Sequence, residues 1–125
     1  MEKGFLKARH KDKALKLLTM NNPHFTTTQS LSLIDANCGP AKFHRILQRR
    51  KFATPTKEPW CKGYDFHLPS EYGSGTYSMN HYSFRWTIAG VKFIVEILKS
   101  ERIAFDIPQE LSEKLNIMEN KLNII

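Results

Sequence analysis

An α+β fold is predicted by two changes of hydrophobic period along the chain and by one tight turn. Apolar residues recur at helical spacing through the first fifty positions, alternate with period two between Tyr64 and Trp86, and return to helical spacing from Ile88. The turn is Asn37-Cys38-Gly39-Pro40, which divides Thr26–Phe52 into two short helices.

The first helix is expected over residues 2–21. Leu6, Ala14, Leu15, Leu17, Leu18 and Met20 supply its apolar side, and Lys3, Lys7, Arg9, Lys11, Lys13 and Lys16 a basic surface. Asn21-Asn22-Pro23 ends it, because the residue before a proline avoids the α region. Thr26 or Thr27 can cap the second helix, whose apolar residues are Leu31, Leu33, Ile34 and Ala36. Gly39 tolerates the positive φ expected to stop that helix, and Pro40 suits the first turn of the next. In the third helix Phe43, Ile46 and Leu47 share one face and are expected to pack on Leu33 and Ile34.

Residues 53–63, ATPTKEPWCKG, are rich in breakers and read as a loop. Two strand runs follow. Tyr64, Phe66 and Leu68 form one, and Tyr77, Met79, Tyr82, Phe84 and Trp86 the other, with Tyr72-Gly73-Ser74-Gly75 as the turn between them. Thr87 is a fitting N-cap for a helix from Ile88 to Ser100. A break covers Arg102 to Ile107, and a last helix begins near Pro108 with Asp106 as its cap. Two helices joined by a tight turn and followed by a β-hairpin give the order of a winged helix-turn-helix, here with an extra N-terminal helix and a C-terminal helix. Residues 1–100 are expected to form the winged-helix domain and residues 101–125 a helical tail.

The chain of 125 residues suits one domain. Its net charge of +7 is unevenly placed. Residues 1–51 hold eleven Lys and Arg against Glu2, Asp12 and Asp35, whereas acidic residues outnumber basic ones after Ser100. A basic front end favours a polyanionic partner. No apolar run approaches the ~20 residues that span a bilayer, and MEKGFLKARHKDK lacks the apolar core of a secretion signal, so no membrane association is expected and a cytoplasmic location is.

The basic residues of the third helix supply the candidate site. Lys42, Arg45 and Arg49 fall at i, i+3 and i+7 on a face distinct from Phe43, Ile46 and Leu47, with Gln48 beside them. Arg and Gln can make bidentate hydrogen bonds to base edges, and Lys and Arg neutralise phosphates. Arg45, Gln48 and Arg49 are therefore expected at the bases of duplex DNA, and Lys42, Arg50, Lys51 and Lys57 at its phosphates. In the last helix Leu111, Leu115, Met118, Leu122 and Ile125 step by four, three, four and three residues, a heptad seam that could pair two copies or fold back on the core.

Three motifs resemble the C-terminal domain of phage antirepressor proteins, the KilA C-terminal or Ant-type domain. Ala14-Leu15-Lys16-Leu17-Leu18 leading into Phe25-Thr26-Thr27-Thr28 is similar to the family's opening helix and its threonine entry to the helix-turn-helix. Lys42-Phe43-His44-Arg45-Ile46-Leu47, running toward Phe52, resembles its second helix. Trp86-Thr87-Ile88-Ala89-Gly90-Val91-Lys92-Phe93-Ile94 resembles its closing Thr-x-x-Gly motif. The match spans roughly residues 13–99. Many members carry a KilA-N or Bro-type domain ahead of this region; the resemblance begins near residue 13, so the domain is expected to act without one, and the tail after Ser100 departs from the family pattern. The resemblance implies a phage or prophage regulator that touches DNA or a repressor.

Other chemistry finds less support. Cys38 and His44, like Cys61 and His67, are separated by five residues, which is the wrong spacing for the usual zinc clips, so free thiols and no metal are expected. No nucleophile elbow, P-loop or H-E-x-x-H occurs, and the carboxylates are scattered, so neither an enzyme nor a cofactor is expected. Tyr64, Tyr72, Tyr77, Tyr82 and Trp86 could stack single-stranded bases, but so small a domain needs such rings in its core. The competing functional reading is a small phage-type inhibitor that binds a repressor or host protein instead of DNA.

Overall fold

The computed structural model describes residues 8–55, 63–74, 77–78 and 84–123. Among them are five α-helices and two small antiparallel sheets, an α+β architecture. The helices are α1 (Ala8–Leu17), α2 (Thr27–Leu33), α3 (Pro40–Arg49), α4 (Ile88–Ser100) and α5 (Gln109–Asn123). The strands are β1 (Ala53–Pro55), β2 (Gly63–Phe66), β3 (Gly73–Ser74), β4 (Tyr77–Ser78) and β5 (Arg85–Trp86).

Helix α1 stops earlier than its apolar pattern suggests. Thr19 N–H and Met20 N–H bond three residues back, to Lys16 and Leu17, and the Thr19 hydroxyl also donates to the Lys16 carbonyl. The last turn thereby tightens, and Asn22 follows at φ 50°. Helix α2 opens with a reciprocal cap. Thr26 Oγ1 accepts from Gln29 N–H at 3.0 Å, while Gln29 Oε1 accepts from Thr26 N–H at 2.9 Å.

The stop of α2 differs from the expectation in one residue. Asp35, not Gly39, takes the left-handed conformation, at φ 46°. Asp35 N–H returns to Ser32 and Ala36 N–H to Leu31, the bond pair of a Schellman motif. Gly39 is extended and serves as the N-cap of α3, with Pro40 in the first turn. Phe43, Ile46 and Leu47 are buried as expected, alongside Leu31, Leu33 and Ile34.

Ala53–Pro55, part of the stretch whose proline content suggested a loop, is a strand. Ala53–Pro55 pairs antiparallel with Tyr64–Phe66, and β2 pairs in turn with β4. As the first strand of this sheet, Pro55 needs to bond on one side only. Tyr72 and Gly73 likewise form no simple turn. Ser70–Tyr72 makes a single 3-10 turn, and β3 pairs with β5. Trp86 pairs on its other side with Phe25, through mutual backbone hydrogen bonds of 2.8 and 2.7 Å.

Helix α4 begins as read from the sequence. Thr87 Oγ1 accepts from Gly90 N–H at 3.1 Å, and the same hydroxyl donates to the Glu71 carbonyl. A Cβ on Gly90 would collide with the Tyr72 carbonyl, so this close packing of helix on turn admits only glycine. Residues 103–107 then run back across the α2–α3 turn. Asn37 N–H donates to Ala104 O at 2.8 Å and Asp106 N–H to Ile34 O at 2.6 Å. Ile103, Phe105 and Ile107 lean on the core, while the alternate residues Ala104 and Asp106 face solvent. Asp106 therefore acts as a backbone strap and not as the helix cap. Ser112 N–H reaches Pro108 O to open α5.

Leu111 of α5 is 0% exposed and belongs to the core, and Leu115 packs on it partly buried. The first residue of the heptad seam is thus committed to its own chain, which supports the fold-back alternative for this end of the tail. The side chains of Met118 and Leu122, and Ile125 as a whole, lie outside the described residues.

Two expectations follow. Phe43→Ala should cost about 3–5 kcal/mol in urea unfolding, the range of buried aromatic truncations; a loss below ~1 kcal/mol is the size of a surface change and would be incompatible with this packing. A chain ending at Ser100 loses Leu111, the strap and both of its backbone bonds. Light scattering and a thermal melt should find that chain aggregated or markedly destabilised, and a soluble monomer of full stability would refute the strap's role.

Candidate nucleic-acid interface

The buried triplet Phe43, Ile46 and Leu47 anchors α3 and fixes which of its faces meets solvent. Phe43 lies edge-on to Trp86 with ring centroids 6.1 Å apart. The opposite face carries Lys42 and Arg45, both exposed, with Gln48 half-buried and Arg49 exposed. Lys51 is exposed too, at φ 64° in the turn that ends the helix. The row predicted from sequence is therefore on the surface. Among the described residues Lys42, Arg45 and Lys51 have no ion-pair partner, so their charges are available to an anion. Lys57 lies outside the described residues.

Arg49 and Arg50 differ from the other cations. Both grip Glu101, the residue that caps the C-terminus of α4. Arg49 Nη2 donates to Oε1. Arg50 approaches Oε2 with Nε at 2.8 Å and Nη2 at 2.6 Å. The Glu101 side chain is 15% exposed, Arg50 34% and Arg49 63%. Arg50 is thus a staple between two helix ends. Arg49 keeps most of its side chain in water. The hydrogen bonds from Arg49 and Arg50 hold the Glu101 carboxyl below its ordinary value.

Glu101 is the site residue that sequence reasoning missed. In the sequence it is one acid among those that follow Ser100, and its partners are about fifty positions away. No local spacing carries that information.

The remaining titratable groups around α3 are quiet. Burial pushes the Cys38 thiol up, against a smaller opposing pull from Lys42, so the thiol stays protonated and unreactive. Burial pushes the His44 imidazole down and keeps it neutral near pH 7. His67 Nε2 lies 2.8 Å from Thr54 Oγ1, across the β1–β2 pair. Among the described residues no group of three or more His, Cys, Asp or Glu is placed to hold a metal ion. Cys61 lies outside them.

A second ion pair joins α1 to the end of α2. Lys11 Nζ meets Asp35 Oδ2 at 2.6 Å, joining α1 to the left-handed residue that stops α2. Arg9, Lys13 and Lys16 remain exposed on α1.

The shifts set a pH dependence of defined sign. Glu101 is held below its unfolded value of 4.5, so its contribution is present above that pH and is lost as pH falls through the folded value. His44 is lowered from 6.5, so its contribution is complete above 6.5 and declines as pH drops toward its folded value. Urea midpoints measured from pH ~7 to ~3 should therefore fall in two windows, and Glu101→Gln should remove only the acidic one. A Gln variant with an unchanged acid profile would mean that the arginine grip contributes nothing in solution.

No family model matches the chain, and no curated protein or solved structure matches it, so the assignment of this surface rests on its own residues.

Proposed function

We propose that this chain is a non-enzymatic duplex DNA-binding protein with a winged helix-turn-helix, acting as a transcriptional regulator of phage antirepressor type. The observation that carries the reading is the exposed row of Lys42, Arg45 and Arg49 on α3, backed by the fully anchored Phe43 and Leu47. A recognition helix needs this combination, because the groove admits a helix only if its orientation is held from behind.

The chain order supports the winged arrangement. Phe25 sits between α1 and α2 and pairs with β5, the strand that closes the hairpin region. Helices α2 and α3 follow as the helix-turn-helix, and β1 and β2 leave α3 as the start of a wing.

In this reading the N-terminal part of α3 enters the major groove. Arg45 reads base edges, with Gln48 beside it, and Lys42 and Lys51 hold backbone phosphates. Lys57 is proposed as a further phosphate ligand on the residues after β1. Regulators of this kind often act as pairs, since two-fold symmetry spaces two recognition helices about one helical turn apart. Pairing here would fall to Leu115, Met118, Leu122 and Ile125, because Leu111 is already spent on the core. No helix among the described residues is long and apolar enough to cross a membrane, which suits a cytoplasmic regulator.

A random duplex in an electrophoretic shift assay tests the reading. With about three to four phosphates neutralised, log K should fall by roughly 3 per tenfold rise in salt. Arg45→Ala with Arg49→Ala should abolish the shift while circular dichroism shows the fold retained, since both side chains are exposed and Arg50 still holds Glu101. Undiminished binding by that double variant would remove α3 from the interface. Absence of any wild-type shift at low salt would favour instead a small inhibitor whose partner is a repressor or host protein.

A further inference from the structure

The Arg49–Glu101–Arg50 cluster places a carboxylate where the end of a recognition helix would meet nucleic acid backbone. Glu101 is fixed by its own helix end. Its N–H bonds back into α4, and Arg102 at φ 57° turns the chain away, its own N–H donating to Lys99 O and that of Ile103 to Leu98 O. Its two carboxylate oxygens are divided, Oε1 to Arg49 and Oε2 to Arg50. The two arginines are not equivalent: Arg50 offers two nitrogens and is mostly covered, whereas Arg49 offers one and is 63% exposed.

A guanidinium fork accepts a carboxylate and a phosphate in the same way. Arg49 can therefore leave Glu101 for a phosphate without stranding the carboxylate, because Arg50 still neutralises it. The exchange trades one partly exposed ion pair for another, so its cost is small. Position supports a phosphate over a base edge for Arg49. The N-terminal residues of a recognition helix reach the bases, and Arg49 is the last residue of α3.

We infer that Glu101 is an internal substitute for a backbone phosphate: it occupies Arg49 in the free protein and yields it to duplex DNA, and so limits affinity without altering sequence preference. This rests on the duplex-binding reading of α3. Glu101 acts here as a positioning residue, through Arg49, and touches no nucleic acid itself.

The test compares wild type with Glu101→Gln, Arg49→Ala and the double variant, and with Glu96→Gln as a charge-matched control elsewhere on α4. Each is measured in two ways: a shift assay on random duplex, and the salt concentration that elutes it from a heparin column. Glu101→Gln should bind duplex about two- to five-fold tighter, the worth of a partly exposed ion pair. Glu96→Gln should gain less, and in the Arg49→Ala background the gain from Glu101→Gln should shrink to that of the control. A gain that survives Arg49→Ala, or no gain at all in a protein whose wild type binds duplex, overturns the exchange and leaves the duplex reading intact. If no variant shifts duplex, heparin decides. Later elution of Glu101→Gln that Arg49→Ala cancels keeps the exchange for polyanions and discards the duplex reading, and its absence discards both. Should Glu101→Gln fail to fold by thermal melt, Glu101→Asp is measured in its place with the same expectation, since one methylene less draws the carboxylate back and weakens its hold on Arg49.

Discussion

Trp86 is the residue on which the arrangement of the described chain depends. Its backbone pairs with Phe25 on one side and Gly73 on the other, which binds the entry to α2 to the strand that closes the hairpin region. Its indole N–H donates to Thr27 Oγ1 at 2.9 Å inside the core, where a lone indole donor would otherwise be left unsatisfied. Its ring meets Phe43 of α3 and Phe84, the latter at 4.9 Å between centroids. Thr87, the next residue, caps α4. One fully buried side chain therefore sets the relative positions of α2, α3, β5 and α4. The exposed face of α3 points where it does because Phe43 must reach this indole.

The helix ends do the remaining steering. Helices α2, α3 and α4 all finish in a left-handed residue that is not glycine: Asp35, Lys51 and Arg102. Each conformation costs a non-glycine residue of order 1 kcal/mol. The returns are specific. Asp35 meets Lys11, which ties α1 to the motif. Lys51 sends Phe52 back to bond Leu47 O, so that its ring reaches Phe93 of α4 with centroids 5.2 Å apart. Arg102 turns the chain into the strap that bonds across the α2–α3 turn. The ends of three helices are thus closed on one another, and the turn between α2 and α3 is covered by residues that lie far from it in sequence.

What could be read from the residues alone was the local part of this scheme. Thr26 and Thr87 announce their caps, because a side-chain hydroxyl three residues before a free amide is a short-range arrangement. Phe43, Ile46 and Leu47 announce the buried face of α3, because helical period and apolar character coincide there. The positive φ assigned to Gly39 was misplaced by four residues: Asp35 tolerates the left-handed region when a salt bridge and two backbone bonds support it, and residue type alone does not reveal that support. Ala53–Pro55 was missed as a strand because its pairing partner, Tyr64–Phe66, overrides the breaker signal of Pro55. For Leu111 the residues alone leave pairing and fold-back open, because the same heptad spacing serves a partner helix and the chain's own core. Glu101 was illegible for the plainest reason: its importance lies in two arginines that only the fold brings near.

The charge along α3 is graded as a result. Lys42 and Arg45, toward its N-terminus, stand in solvent without a partner among the described residues, while Arg49 and Arg50, at its end, share a carboxylate. Two effects of opposite sign meet here. The positive end of the helix dipole lies at the N-terminus of α3 and adds to the pull of Lys42 on an anion. At the C-terminus the dipole is negative and already favours retention of the two arginines. Glu101 then lowers the field of that end further, since one carboxylate between two guanidinium groups leaves a single unit of net charge. A polyanion approaching α3 would therefore be drawn first to the Lys42–Arg45 end and would engage Arg49 only at close range, where a phosphate can compete with Glu101 for its guanidinium. In the proposed duplex-binding reading, long-range attraction and short-range fit would be carried by different residues of one helix. A non-specific encounter with nucleic acid would use the first pair, and a fully seated one would use all three.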